Sequence, residues 1–149
     1  MPVTMQQVRA QLDRDEPDYP TAAQLGPTAV VQLAKLVRGT DALLAAKAAY
    51  LASLIPGDQS RVVLDDAARS QQGQVRVAAA AGIRNLPDAP LDLIDTLLKD
   101  SDAGVRKVAL RSIDTRQFTG LKARVEAIAK SDAEDFVRKI ADQTAKRLS

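Results

Sequence analysis

A chain of 149 residues without cysteine or histidine excludes disulfides, thiolate chemistry, Ser-His and Cys-His nucleophile pairs, and the usual zinc, haem and iron–sulfur ligand sets. The net charge of +2 is unremarkable but unevenly spread: residues 1–20 sum to −2 and residues 99–149 to +4. No run approaches the roughly 18 apolar residues of a membrane span, and the opening MPVTMQQVRAQLDRDE lacks the apolar core of a signal peptide, so a soluble protein of the reducing cytoplasm is expected.

Twenty-six alanines and only four aromatic residues, Tyr19, Tyr50, Phe118 and Phe136, mean an interior of small and aliphatic side chains, in which helices can approach closely. The spacing of Met5, Val8 and Leu12 predicts a short helix within residues 3–14. The segment DRDEPDYP after it concentrates Asp13, Asp15, Glu16 and Asp18. As a calcium loop it lacks the required glycine and the closing glutamate, which leaves a polar connector broken by Pro17 and Pro20.

From Gly26-Pro27 onward the chain reads as pairs of helices, A then B. The first pair has Val30, Leu33, Ala34 and Val37 on helix A, a turn at Gly39-Thr40-Asp41, and a helix B reaching about Leu54 before Pro56-Gly57 stops it. The second has Val62, Val63, Ala67 and Ala68 on A and residues 74–86 as B, closed by Pro87 and Pro90. In the third, Leu93, Ile94, Leu97 and Leu98 share one face of A, Ser101 and Asp102 offer N-cap chemistry, and Val105, Val108, Ala109, Ser112 and Ile113 line B. The fourth begins after Thr119-Gly120, with Leu121, Val125, Ile128 and Ala129 on A, a turn at Ser131-Asp132, and B from about Glu134 to Leu148. No stretch alternates with period two, so no sheet is expected. The expected total is eight helices in pairs plus one or two short ones at the N-terminus.

A Val-Arg pair opens each later B helix: Val75-Arg76, Val105-Arg106 and Val137-Arg138. The pairs recur at a nearly constant interval of about 30 residues, the length of one helical hairpin, and Leu44-Ala45 is a weaker copy one interval earlier. Helices this short are marginal alone, and a fixed period of one helical hairpin is the mark of an α-solenoid. The pattern of apolar helix A, turn aspartate and Val-Arg resembles the HEAT repeat, in its short bacterial, phycobilisome-lyase-type variety. The resemblance covers about residues 27–148 and implies an all-α superhelix of about four HEAT-like hairpins in a single domain, with residues 1–25 capping the open end and 26–149 forming the repeats. It also implies that turn aspartates pair with helix-B arginines, matched here by Asp102 with Arg106 and Asp132 with Arg138. Gln72 stands where the second unit's aspartate would be.

Paired carboxylates at Asp65-Asp66, Asp92 with Asp95, and Glu134-Asp135 are the remaining candidates for acid–base work. Each sits at a helix start or on a polar face, where acidic residues are ordinary electrostatics. No Gly-rich nucleotide motif occurs. The expectation is therefore no catalytic, cofactor or metal site and no intrinsic enzymatic activity.

Rotating each B helix at 100° per residue defines the side turned away from its opening valine. This outward set is Ala46, Ala49, Tyr50 and Ser53, then Val77, Ala80, Ala81 and Arg84, then Lys107, Leu110, Arg111 and Asp114, then Lys139, Asp142, Gln143 and Lys146. It begins small and apolar and ends basic. The resemblance implies that B helices line the concave surface, which makes Tyr50, Val77, Ala80, Ala81, Arg84, Lys107, Leu110, Arg111, Lys139 and Lys146 the candidate partner-binding residues. A binding scaffold is expected, with a partner's extended segment or amphipathic helix on the apolar part and an acidic stretch on the basic part. The alternatives are that the N-terminal segment around Val8 and Leu12 covers the stripe, that two copies bury it mutually, that the basic half binds nucleic acid, or, from the resemblance alone, that the chain is a bilin lyase or its accessory.

Overall fold

The computed structural model describes residues 2–113 and 120–148. Among these residues are ten α-helices, two 3-10 turns and no strand. The N-terminal segment holds α1 (Met5–Leu12) and α2 (Tyr19–Ala23). The 3-10 turn Pro27–Ala29 then leads into α3 (Val30–Val37), followed by α4 (Ala42–Ser53), α5 (Asp58–Ala68) and α6 (Gly73–Gly82). The other 3-10 turn, Ile83–Asn85, precedes α7 (Leu91–Leu98), α8 (Ala103–Ser112), α9 (Lys122–Ser131) and α10 (Asp135–Arg147). Helix B of the second pair, expected over residues 74–86, thus ends as an α-helix at Gly82 and tightens into a 3-10 turn before Pro87. Asp114 and Phe118 lie outside the described residues.

Local chemistry sets the helix starts. Thr4 and Gln7 form a reciprocal capping box on α1. Asp18 accepts from the Thr21 N–H at 3.2 Å and starts α2 inside the expected connector. Asp41 accepts from the Leu44 N–H at 3.1 Å, and Asp102 from the Gly104 N–H at 2.7 Å. Before α6, α8 and α10 the turn repeats one device: the side chain of Ser70, Asp100 or Asp132 accepts from the backbone N–H two residues on.

Packing runs between neighbours in chain order. Each of α3, α5, α7 and α9 packs on the helix after it, and the sequence α4, α6, α8, α10 forms a row in which each member packs on the next. In a second row, α3 packs on α5 and α5 on α7, while α1 and α2 close onto α3 and α4. Between the rows lies a core in which Leu33, Leu51, Leu64, Ile83, Ile94, Leu97 and Leu121 are fully buried. The alanines serve the close approach of α4 and α6, where Ala45, Ala48, Ala49, Ala52, Ala79 and Ala80 have no exposed surface. Gly82 carries this furthest: a Cβ there would lie 2.8 Å from the Ser53 Cβ.

Arginines bind successive units together, although not by the expected pairs. Arg76, Arg106 and Arg138 each donate from Nη1 to the backbone carbonyl six residues earlier, on Ser70, Asp100 and Asp132. The other side of the guanidinium reaches into the following turn: Arg76 Nε lies 2.8 Å from Asp100, and Arg106 donates from Nε and Nη2 to both oxygens of Asp132. Asp102 does not pair with Arg106, because its carboxylate is spent on capping α8. Arg138 likewise meets the backbone of Asp132 rather than its carboxylate, and its Nη2 lies 3.4 Å from Asp135. Where Ala45 replaces the arginine, the next turn carries Ser70 in place of an aspartate, so a missing cation is matched by a missing buried anion.

Candidate partner-binding face

The row of α4, α6, α8 and α10 presents the candidate residues, and each helix gives them a place by rotation from its opening apolar residue. Positions two and six residues on, about 200° and 240° around the helix, are Val77 and Ala81 on α6, Lys107 and Arg111 on α8, and Lys139 and Gln143 on α10; all have solvent-accessible surface. Position five, at about 140°, is different: Ala49, Ala80 and Leu110 are buried, at 0, 0 and 1% exposure. The expected exposure of Ala80 and Leu110 is therefore corrected. Both belong to the hydrophobic core. The corresponding residue of α10 is the exposed Asp142, so the last helix turns a polar side outward.

Tyr50 is half-buried because the N-terminal segment reaches it. The Tyr19 and Tyr50 rings meet edge to face with centroids 4.9 Å apart, and burial raises the Tyr19 phenol above its ordinary pKa, with Tyr50 adding to it. Lys47 Nζ donates to the carbonyls of Leu12 and Arg14 at 3.2 and 2.6 Å. The connector between α1 and α2 is thus tied across the α4 end of the face, while Val8 and Leu12 enter the core. The N-terminal segment covers this end, and Val77 and Ala81 on α6 keep accessible surface.

Rotation also adds residues that the sequence reading did not select. Three positions after each opening valine stand Ala78, Val108 and Ile140, partly buried against the core yet accessible. Val108, expected to line helix B with Val105 and Ala109, packs against the core but is only partly buried, unlike those two. Phe136, on α10, is 44% exposed, and Leu43, at the same register on α4, is 55% exposed. The repeat interval that aligned Val75, Val105 and Val137 carries Ala78, Val108 and Ile140 with it, and was the signal available for finding them.

The basic half of the face is carried by different kinds of cation. Arg84, Lys107 and Arg111 make no ion pair with a described residue. Lys139 pairs with Asp135 at 3.1 Å and Lys146 with Asp142 at 3.0 Å. The hydrogen bond from Lys139 is the chief cause of the lowered Asp135 pKa. Lys146, at about 180° and adjoining Asp142, belongs to the outer side of α10 more than to the face shared with Lys107 and Arg111.

Of the candidate carboxylate pairs, Asp65 and Asp66 are both engaged, with Arg69 and with Arg38 at 2.7 Å, whereas in the other two pairs the engaged member is Asp95, with Arg124 at 2.9 Å, and Asp135, with Lys139. Among the described residues no group of three or more acidic side chains is placed to hold a metal ion, and no helix is long and apolar enough to cross a membrane. A second surface groove, between α3 and α5, is lined by Val31, Val62, Lys35 and Arg38; its two valines are 63 and 51% exposed. The chain matches no protein-family model and no curated protein by sequence.

Proposed function

We propose that this chain is a small HEAT-like α-solenoid that works as a non-enzymatic protein-binding scaffold, taking an acidic, amphipathic segment of a partner on the face formed by α4, α6, α8 and α10. The observation that carries the reading is the change of chemistry along one face, from Val77, Ala78 and Ala81 on α6 to Lys107, Val108 and Arg111 on α8. Accessible apolar atoms beside cations suit a helix or strand with one apolar edge and one acidic edge, because the first contributes burial and the second sets orientation. The repeat assignment is supported by the turn device at Ser70, Asp100 and Asp132 and by the arginine contacts that bridge consecutive units.

Binding of a fluorescein-labelled acidic amphipathic peptide, followed by anisotropy beside a DNA duplex of matched charge, tests the proposal. The peptide is expected to bind at micromolar concentration, and Lys107→Glu with Arg111→Glu to weaken it at least about tenfold, roughly 1.4 kcal/mol. Tighter DNA binding that falls steeply with salt, as release of several counterions requires, would replace this reading with the nucleic-acid one. Lys139 and Lys146 argue against that outcome, because each already has a carboxylate beside it.

A further inference from the structure

Resting on the reading of this face as a dock for an acidic amphipathic segment, we infer that the partner's segment is charge-segregated: its acidic end lies over α8, its apolar middle over α6, and a basic end against Asp15 and Glu16 at α4. The connector that carries these two carboxylates is a fixed wall of the face. Lys47 stands on α4 three residues after the opening Leu44, at the register of Ala78 and Val108, and its Nζ holds the carbonyls of Leu12 and Arg14 at 3.2 and 2.6 Å. Beyond the connector the chain is anchored again, by the Tyr19 and Tyr50 rings with centroids 4.9 Å apart. Between the two anchors stand Asp15 and Glu16, both exposed and neither in an ion pair with a described residue. Asp13 and Asp18 do not serve the site, because Asp13 meets Arg9 at 3.6 Å and Asp18 caps α2. With Arg14 counted against Asp15 and Glu16, this edge is still negative.

At the other end Lys107 and Arg111 lie one turn apart on α8, and neither makes an ion pair with a described residue. Lys139 and Lys146 stay outside the site, because Asp135 and Asp142 already neutralise them. Val77, Ala78 and Ala81 on α6 lie between, accessible and uncharged. Acid, apolar surface and base thus follow one another along α4, α6 and α8. Two helix-to-helix steps, about 16–20 Å at the usual spacing, separate the charged ends, a span of about 12 helical residues. That exceeds the Debye length of about 8 Å at physiological salt, so each end reads its own part of the ligand. A segment acidic throughout gains Lys107 and Arg111 but sets like charge against Asp15 and Glu16. One with its charges separated satisfies both ends, and in a single direction. The wall therefore supplies polarity and specificity more than affinity, as exposed rim charges do.

Two helical peptides of equal length and identical apolar face test this on the full chain by anisotropy, one acidic along its whole polar side, the other acidic in one half and basic in the other. The segregated peptide is expected to bind at least about fivefold tighter at about 50 mM salt, and the preference to vanish at about 500 mM. Asp15→Lys with Glu16→Lys, exposed changes that leave the helices intact by circular dichroism, should reverse the preference. Orientation is read from a nitroxide on the segregated peptide. At its basic end the label should broaden the amides of Asp15 and Glu16, and at its acidic end those of Lys107 and Arg111. Adding Lys107→Glu and Arg111→Glu to the connector changes should exchange the two patterns. Equal affinity of the two peptides, a preference unmoved by the connector changes, or the same broadening from either label would overturn the inference. If the acidic peptide binds and the segregated one binds no better, the charge order falls and the docking face stands. If neither binds, both fall.

Discussion

Arg106 and Asp132 lie 26 residues apart and meet in a two-point contact, Nε and Nη2 donating to the two carboxylate oxygens at 2.7 and 2.9 Å. Their side chains are only 12 and 7% exposed, and the remaining Nη1 is taken by the carbonyl of Asp100. A cation near the start of α8 would by itself oppose the helix dipole. Here it is neutralised by the turn of the next unit, and so it ties one unit to the next.

A double-mutant cycle on Arg106→Ala and Asp132→Ala should give an interaction of about 1–3 kcal/mol by urea denaturation. Each single change should cost about 3 kcal/mol, because it strands a buried charge. The cycle on Arg106 and Asp102 should be additive to within about 0.5 kcal/mol. A larger coupling to Asp102 than to Asp132 would deny the contact between units.

The same pair sets a pH dependence. The Asp132 carboxyl is held below its ordinary value chiefly by the hydrogen bond from Arg106, with the Glu134 N–H helping and burial opposing. Its native pKa thus lies below the unfolded one, about 3.9. Above the unfolded value the full contribution is present. As pH falls between the two values the unfolded chain takes up the proton first, so stability declines, and the contribution is gone below the native value. Urea midpoints from about pH 7 to pH 3 should therefore fall more steeply for wild type than for Asp132→Asn. Parallel curves would show that Asp132 titrates alike in both states.

Gly82→Ala should destabilise the protein by about 1–3 kcal/mol, even though alanine is the better helix former by about 1 kcal/mol. The new Cβ would meet the Ser53 Cβ at 2.8 Å and the Leu64 Cδ2 at 3.6 Å. Gly73→Ala is the control: its Cβ would find only the Arg76 Nη2 and an Asp102 oxygen, at 3.7 and 3.8 Å, and should be neutral or slightly stabilising. Equal melting temperatures for the two variants would mean that α4 and α6 are not in close contact.

Leu110→Asp should unfold the protein or cost more than about 4 kcal/mol, because it places an unpaired charge in the core, where Leu110 is 1% exposed. Val77→Asp, on a half-exposed side, should cost less than about 2 kcal/mol and leave the helical circular dichroism intact. The reverse order would place Leu110 on the open face and Val77 in the core.

Helix pairing along the chain was legible because Leu93, Ile94, Leu97 and Leu98, and their counterparts, repeat at helical spacing and Gly or Pro closes the segments. The choice between Asp100 and Asp102 was not. Both stand at a helix start, and only the approach of the next unit decides which kind of carboxylate an arginine can reach. The face itself was half legible. Rotation from Val75, Val105 and Val137 placed Val77, Ala81, Lys107, Arg111 and Lys139 on an accessible side, but one helix does not reveal on which side its neighbour in the row lies. Ala80 was therefore set outward beside Ala81, although the two differ by about 100° around α6. Asp142 at the same register concealed the rule, because on α10 that position is exposed. The partial covering of Tyr50 depended on Tyr19, which lies on a separate helix far back along the chain, beside a connector whose composition shows only that it is polar.

Amide chemical-shift mapping of the full chain, titrated with the acidic amphipathic peptide, tests the docking face most directly. The face proposal predicts perturbations concentrated at Val77, Ala78, Ala81, Lys107, Val108 and Arg111, saturating with one affinity, while Val31 and Val62 on the opposite row stay unmoved. Perturbations confined to Val31, Val62 and Lys35, or an absence of any at the peptide concentration that saturates the anisotropy, would contradict it.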